Sequence, residues 1–213
     1  MAEERVLQKV QNCTLNFELE NVKSVVNEAL DAGVRPEKII DAMSRGMNII
    51  GERYEKHEYF LTELIMAGET MKAGLEPLLP YTETLTAKLK GVVVMGTVQG
   101  DIHDIGKNIV VAFLTSAGFR VHDLGVDVPA EKFVEKAMET RAEIVGMSTL
   151  YTPFMPNMKA VIEALKKAGI RDRVKVIVGG APVDESYARE IGADAYGRDA
   201  VEAVRICTRW VSK

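Results

Sequence analysis

Gly91-Val-Val-Val-Met-Gly-Thr-Val-Gln-Gly-Asp-Ile-His-Asp-Ile-Gly-Lys-Asn108 is the stretch on which the fold turns. Its opening, residues 91–96, is a short apolar run of the kind that lies buried on both faces of a sheet. Its end is polar and glycine-punctuated, and it leads into helical spacing over 106–117. A strand that feeds a helix through such a loop begins a wound α/β unit, and the rhythm recurs downstream. Residues 119–124, 143–148, 174–178 and a short 193–196 read as further strands, with helices over 130–140, 156–168, 183–191 and 199–210. Strict alternation implies a five-stranded parallel sheet with right-handed crossovers, a doubly wound (Rossmann/flavodoxin-like) α/β domain. Sheets of this kind bind ligands at the carboxyl ends of their strands. The loops to read are therefore 97–105, 124–129, 148–156, 179–183 and 197–199.

Upstream of this domain the rhythm is helical only. Leu15, Leu19, Val22, Val25, Val26, Ala29 and Leu30 step by threes and fours, Gly33 closes that stripe, and Pro36 suits the first turn of the next helix. Ile39, Ile40, Met43, Met47, Ile50 and Tyr54 form a second stripe; Leu61, Leu64, Ile65, Gly68, Met71, Leu75 and Leu78 form a third. With a shorter helix over 2–11, this predicts an all-α four-helix bundle. Residues 78–90, with Pro77 and Pro80 at their start, read as a linker. The expected domains are a helical bundle over 1–85 and an α/β domain over 86–213.

Composition narrows the function classes. The 213 residues are 47% hydrophobic and 27% charged, with a formal net charge of -4. No basic run could neutralise a row of phosphates, which argues against nucleic acid as partner. No apolar stretch approaches the roughly 20 residues that span a bilayer, and the charged opening Met1-Ala-Glu-Glu-Arg5 is unlike a secretory leader. The cytoplasm is the expected compartment. Cys13 and Cys207 lie far apart with no partner at metal-ligand spacing, so they read as small buried thiols.

The loop after the first strand carries the chemistry. A phosphate loop needs four residues between its glycines and a hydroxyl residue after its lysine; here five separate Gly100 from Gly106, and Asn108 follows Lys107. The dinucleotide fingerprint fails on glycine spacing as well. What remains is His103 in a turn flanked by Asp101 and Asp104. A carboxylate two residues before an imidazole suits a metal ligand whose far ring nitrogen is held. One histidine cannot build a site for a bare ion, but it can be one axial ligand to a macrocycle that fills the other positions. Spacing alone leaves a solvated loop histidine open.

Asp101-x-His103-x-x-Gly106, followed after the third strand by Ser148-x-Leu150 and after the fourth by Gly179-Gly180, resembles the signature of cobalamin-binding domains in which a protein histidine replaces the cofactor's own base. The run Gly100-Asp-Ile-His-Asp-Ile-Gly-Lys-Asn-Ile-Val110 is similar to that of cobalamin-dependent methionine synthase. With the helical half included, the chain looks most like the corrinoid proteins of anaerobic methyltransferase systems that use methylamines, methanol or methoxylated aromatics.

The resemblance implies a cobalamin or related corrinoid, cycling between methylcob(III)alamin and cob(I)alamin, with His103 as lower cobalt ligand. Gly100, Asp101, Ile102, His103, Asp104, Ile105 and Gly106 would form its floor. Ser148, Leu150 and Thr152 would line the nucleotide tail, Gly179 and Gly180 would let it pass the backbone, and Tyr196, Gly197 and Asp199 would lie near its end. Tyr196, Gly197 and Asp199 equally suit an ordinary turn and helix cap. The bundle would cap the upper face, with Tyr54 and Leu61 shielding the methyl group; Leu64 is open between cap and bundle core. The implied partners are a substrate-specific methyltransferase, a methylcorrinoid:thiol or:tetrahydrofolate methyltransferase, and a reductive activator. Nothing here resembles an activator of a methyl donor, so the chain reads as a carrier subunit, with an adenosylcobalamin-dependent mutase subunit or a cobalamin sensor as alternatives. One departure stands out: Phe154 occupies the place where a Ser or Thr continues the His–Asp pair in such relatives.

Overall fold

The structure is a computed structural model that describes residues 2–81 and 89–212. The chain divides into two compact units, Met1–Leu89 and Lys90–Lys213.

The first unit is helical: α1 (Ala2–Leu15), α2 (Leu19–Asp31), α3 (Pro36–Glu55) and α4 (Leu61–Leu75). α1 packs on α2 and α3, and α4 packs on the same two helices. Each buries its apolar stripe: Val22, Val26 and Ala29 on α2; Ile39, Met43, Met47 and Ile50 on α3; Leu64, Ala67 and Met71 on α4. Every such Ile, Leu or Met contributes about 1.5–3 kcal/mol on burial.

Two expectations are corrected in this unit. The first helix runs on to Leu15, and the second begins only at Leu19. Phe17, with φ of 58°, breaks the chain between them; Leu15 and Leu19 are four apart, so the apolar spacing runs across the break without registering it. The expected linker also begins too early. Glu76–Tyr81 is a 3-10 helix that buries Leu78, because Pro77 and Pro80 end α-helical bonding without ending the packing. Residues 82–88 of that linker lie outside the described residues.

The second unit alternates β1 (Val92–Thr97), α5 (Ile105–Ser116), β2 (Arg120–Asp123), α6 (Ala130–Thr140), β3 (Ile144–Ser148), α7 (Pro156–Lys167), β4 (Lys175–Gly179), α8 (Glu185–Ile191), β5 (Ala195–Tyr196) and α9 (Ala200–Val211). All four strand pairings are parallel, in the order β2-β1-β3-β4-β5. The pleat sends alternate residues of β1 to opposite faces. Val94 joins Phe133, Met158 and Ile162 in one core, while Val93 and Met95 join Leu114, Ala203 and Cys207 in the other. Helices thus cover both faces of the sheet, which is why its inner strands β1 and β3 read as near-continuous apolar runs. Asp184 and Asp199 cap α8 and α9 by accepting the backbone N–H of Tyr187 and Glu202. The strand order reverses between β1 and β3, which opens a crevice at their carboxyl ends. The His103 loop leaves β1 at that point, and Thr149–Tyr151 leave β3 beside it.

Candidate cofactor site

Asp101 is the hub of the crevice. Its side chain is fully buried, and its carboxylate accepts four hydrogen bonds. Oδ1 takes the His103 backbone N–H at 3.0 Å and the His103 Nδ1–H at 2.6 Å. Oδ2 takes the Thr149 hydroxyl and the Leu150 N–H, each at 2.6 Å. Burial pushes this carboxyl upward, but the donations from Thr149, the two backbone N–H groups and the His103 ring outweigh it and hold the group well below the usual carboxylate range. Asp101 is therefore an anion. The imidazole must donate from Nδ1, which leaves the lone pair of Nε2 for a ligand.

The loop is held from several sides. Thr97 donates to the His103 carbonyl at 2.9 Å, and the Asp101 N–H donates to the Val98 carbonyl at 3.1 Å. Lys107, on the first turn of α5, has a side chain only 1% exposed and reaches Asp123 Oδ2 at 2.6 Å and Asn108 Oδ1 at 2.7 Å. A lysine so enclosed ties α5 to the end of β2; it does not serve a phosphate. Asp104 accepts the Asn108 side-chain amide at 3.0 Å.

The residues fit a flat, apolar cofactor. His103 is 42% exposed, and its ring lies 5.1 Å from that of Tyr151. Around it Ile102 is 72% and Ile105 60% exposed, with Val126, Leu150 and Tyr151 also uncovered. So many exposed large side chains at one sheet end mark a surface meant to be covered. A Cβ at Gly106 would meet nothing within 4 Å, so that face is open to an approaching group.

The structure also sorts the expected residues. Gly180, with φ of 119°, would drive a Cβ to 1.8 Å from the Thr149 carbonyl oxygen, and a Cβ at Gly179 would stand 2.9 Å from that of Gly197. The close approach these glycines permit here is that of the chain's own backbone. Thr149 also donates its N–H to Gly179 at 3.3 Å, which joins the ends of β3 and β4 to the Asp101 network. Ser148 is half-buried and accepts the Val98 N–H through its carbonyl. Thr152 is exposed on the 3-10 turn Thr152–Phe154, and no bond joins it to Asp101 among those the structure gives. Tyr196 is half-buried, and Asp199 is the cap of α9. In the bundle, Leu61 is 58% exposed and Tyr54 half-buried, but Leu64 is 2% exposed. Leu64, left open between cap and core, lies in the bundle core one turn into α4.

Sequence reasoning missed Thr149. The place expected to continue the His–Asp pair, six residues past Ser148, holds Phe154, whose ring instead lies against Gly100, where a Cβ would stand 2.6 Å from it. Thr149 stood unread inside Ser148-x-Leu150. A threonine at the end of an apolar strand, 1% exposed, needs a hydrogen-bond partner, and that requirement was the available signal.

The cysteines take no part. Burial pushes the Cys13 thiol up to about 11 and the Cys207 thiol up to about 12, so both stay protonated at neutral pH. Among the described residues no cluster of three His, Cys, Asp or Glu side chains could hold a bare ion, and no helix is long and apolar enough to cross a membrane.

A single imidazole, tautomer fixed by a buried carboxylate and set in an apolar floor at the switch point of a doubly wound sheet, is a donor set that could serve a macrocycle needing one protein nitrogen. Comparison with known proteins agrees. Family models described as "B12 binding domain" match residues 91–205 and 6–79. The dimethylamine corrinoid protein of Methanosarcina barkeri is 44% identical over 208 residues, covering 96% of each chain. Trimethylamine corrinoid protein 1 of Methanosarcina acetivorans is 43% identical, covering 95% of each. Among solved structures, the methanol:cobalamin methyltransferase complex of Methanosarcina barkeri superposes with a TM-score of 0.83 at 30% identity, over 97% of this chain and 80% of that one. A cobalamin-binding protein of Desulfitobacterium hafniense gives 0.70 at 36%, over 97% and 98%. The chain belongs to the family of B12-binding corrinoid proteins, and its cofactor is a corrinoid.

Proposed function

We propose that this protein is the methyl-carrying subunit of a methyltransferase system, with His103 Nε2 as the lower cobalt ligand. The carrying observation is the hydrogen-bonded line from Thr149 through Asp101 to His103 Nδ1, which presents Nε2 on an open apolar floor. When bound, the corrinoid would supply the methyl-carrying chemistry. The chain's residues ligate, orient and shield. Asp101 fixes the imidazole tautomer and can retain a proton at Nδ1 as ligation changes. Ile102, Ile105 and Leu150 exclude water below the ring, and Gly106 leaves it room. Gly100 and Asp104 shape the loop, while Ser148, Thr152, Gly179, Gly180, Tyr196, Gly197 and Asp199 border the path assigned to the nucleotide tail. Tyr54 and Leu61 are assigned to shielding the methyl group; the "B12 binding domain" match over residues 6–79 supports a cofactor role for that unit.

The partners are a substrate:corrinoid methyltransferase acting on a methylated amine or alcohol, a methylcorrinoid:thiol or:tetrahydrofolate methyltransferase, and a reductive activator. Relatives named as methylamine corrinoid proteins match nearly end to end, which favours the carrier over a mutase subunit or a sensor. The test is transfer of isotope-labelled methyl. Label should pass from methylated amine or methanol to a thiol only when this protein, loaded with corrinoid, joins both methyltransferases; equal transfer without it contradicts the reading.

A further inference from the structure

Asp127 is one of four non-glycine residues with left-handed backbone, at φ of 53°, among those described. It lies in the loop after β2, not in the His103 loop, yet it grips that loop at two points. Its Oδ1 accepts the Gly100 N–H at 2.7 Å, and its own N–H donates to the Asp101 carbonyl at 2.9 Å. The two bonds bracket residues 100 and 101. Gly100 itself has φ of 89°, and a Cβ there would stand 2.6 Å from the Phe154 ring, so a side chain at this position would clash. The loop of Asp127 is in turn fixed to β1, because the Val128 N–H donates to the Thr97 carbonyl and the Thr97 N–H to that of Gly125.

We propose that Asp127 is a positioning residue for the cobalt ligand: through Gly100 and Asp101 it sets where the His103 imidazole stands. The backbone of Asp101 is pinned at its N–H by Val98 and at its carbonyl by Asp127. Its carboxylate then has one direction in which to hold Nδ1. Without the Gly100 bond the turn keeps its floor on Phe154 but loses the restraint on its solvent side, where both Asp127 and Gly100 are exposed. Asp127 touches no atom that reacts. Aspartate tolerates the left-handed region better than most residues, so the site combines a carboxylate acceptor with a backbone that most side chains would strain.

The inference rests on the reading of His103 as the ligand, and the experiment separates the two. Asp127→Gly keeps the backbone conformation and removes the acceptor; Asp127→Asn keeps both. Two quantities are read. One is hydrogen exchange of the Gly100 amide in the protein without corrinoid. The other is the ratio of histidine-ligated to unligated cobalt in the cob(II)alamin-loaded protein, taken from its paramagnetic spectrum together with the Co(II)/Co(I) midpoint potential. In Asp127→Gly the amide should exchange faster and the ratio should fall roughly three- to tenfold, the worth of one net hydrogen bond. The midpoint should become less negative, since a weaker ligand stabilises Co(II) less. Asp127→Asn should stay close to wild type. Asp127→Ala, with backbone strain added, should fall at least as far as the glycine variant. Wild-type ligation in Asp127→Gly overturns this proposal alone. A wild-type spectrum without histidine nitrogen overturns the ligation reading and this proposal with it.

Discussion

The Thr149 hydroxyl donates to Asp101 Oδ2 at 2.6 Å, on the carboxylate oxygen opposite the one that holds the His103 ring. Thr149→Val removes the donor at nearly constant shape and leaves a buried charged acceptor short of one partner. It should destabilise the α/β unit by about 1–3 kcal/mol, while Thr149→Ser should recover most of the loss. Urea denaturation at unchanged slope checks both.

The same network makes stability depend on acid. Burial raises the Asp101 carboxyl, and the bonds from Thr149, His103 and Leu150 more than offset it, so its folded pKa lies below the unfolded value of about 3.9. Such a group contributes stability fully above the unfolded pKa and loses it as pH falls toward the folded one. The stability difference between wild type and Asp101→Asn should therefore be largest above about pH 5 and shrink below about pH 4. A difference that grows on acidification contradicts the assignment.

Much of this was legible in the sequence because period is a strong signal. Residues 91–96 and 143–148 read as strands since both faces of the sheet are covered, and the chemistry-bearing loops followed from strand order alone. Period does not report which way one side chain turns. Leu61 and Leu64 belong to one stripe, yet one is exposed and the other enclosed, since Leu61 stands at the helix start with no turn before it to pack against. Thr149, and not position 154, continues the His–Asp pair for a similar reason. A loop's contacts are set by the third dimension, where Phe154 reaches under Gly100 and Thr149 reaches Asp101.

Gly180→Ala should destabilise the α/β unit by more than about 3 kcal/mol, since it combines a forbidden backbone with collision against backbone that cannot yield. The added carbon would stand 1.8 Å from the Thr149 carbonyl oxygen. Gly125→Ala is the control: φ is 83° but nothing lies within 4 Å, so the cost should be about 1–2 kcal/mol. Equal effects would remove the claim that Gly180 admits the β3 loop.

In the bundle, Leu64→Ala should cost about 2–4 kcal/mol through a buried cavity, and Leu61→Ala about 0.5 kcal/mol or less. If Tyr54 and Leu61 shield the methyl group, the Tyr54→Ala, Leu61→Ala double variant should lose it faster in light. A double variant as light-resistant as wild type would return both residues to a structural role.

The division into Met1–Leu89 and Lys90–Lys213 leads us to expect that a fragment over 86–213 folds and still binds corrinoid, since every loop of the cofactor floor lies within it. Far-ultraviolet circular dichroism and cofactor retention on gel filtration check this. A folded fragment that retains none would make the bundle part of the binding site.

Ligation by His103 is decided by the paramagnetic spectrum of the cob(II)alamin-loaded protein. A nitrogen splitting should appear that changes when histidine alone is labelled with heavy nitrogen, and that disappears in His103→Gly while the corrinoid stays bound. A splitting that ignores the histidine label and survives in His103→Gly would mean that the cofactor's own base still holds the metal, and would rule out His103 as the ligand.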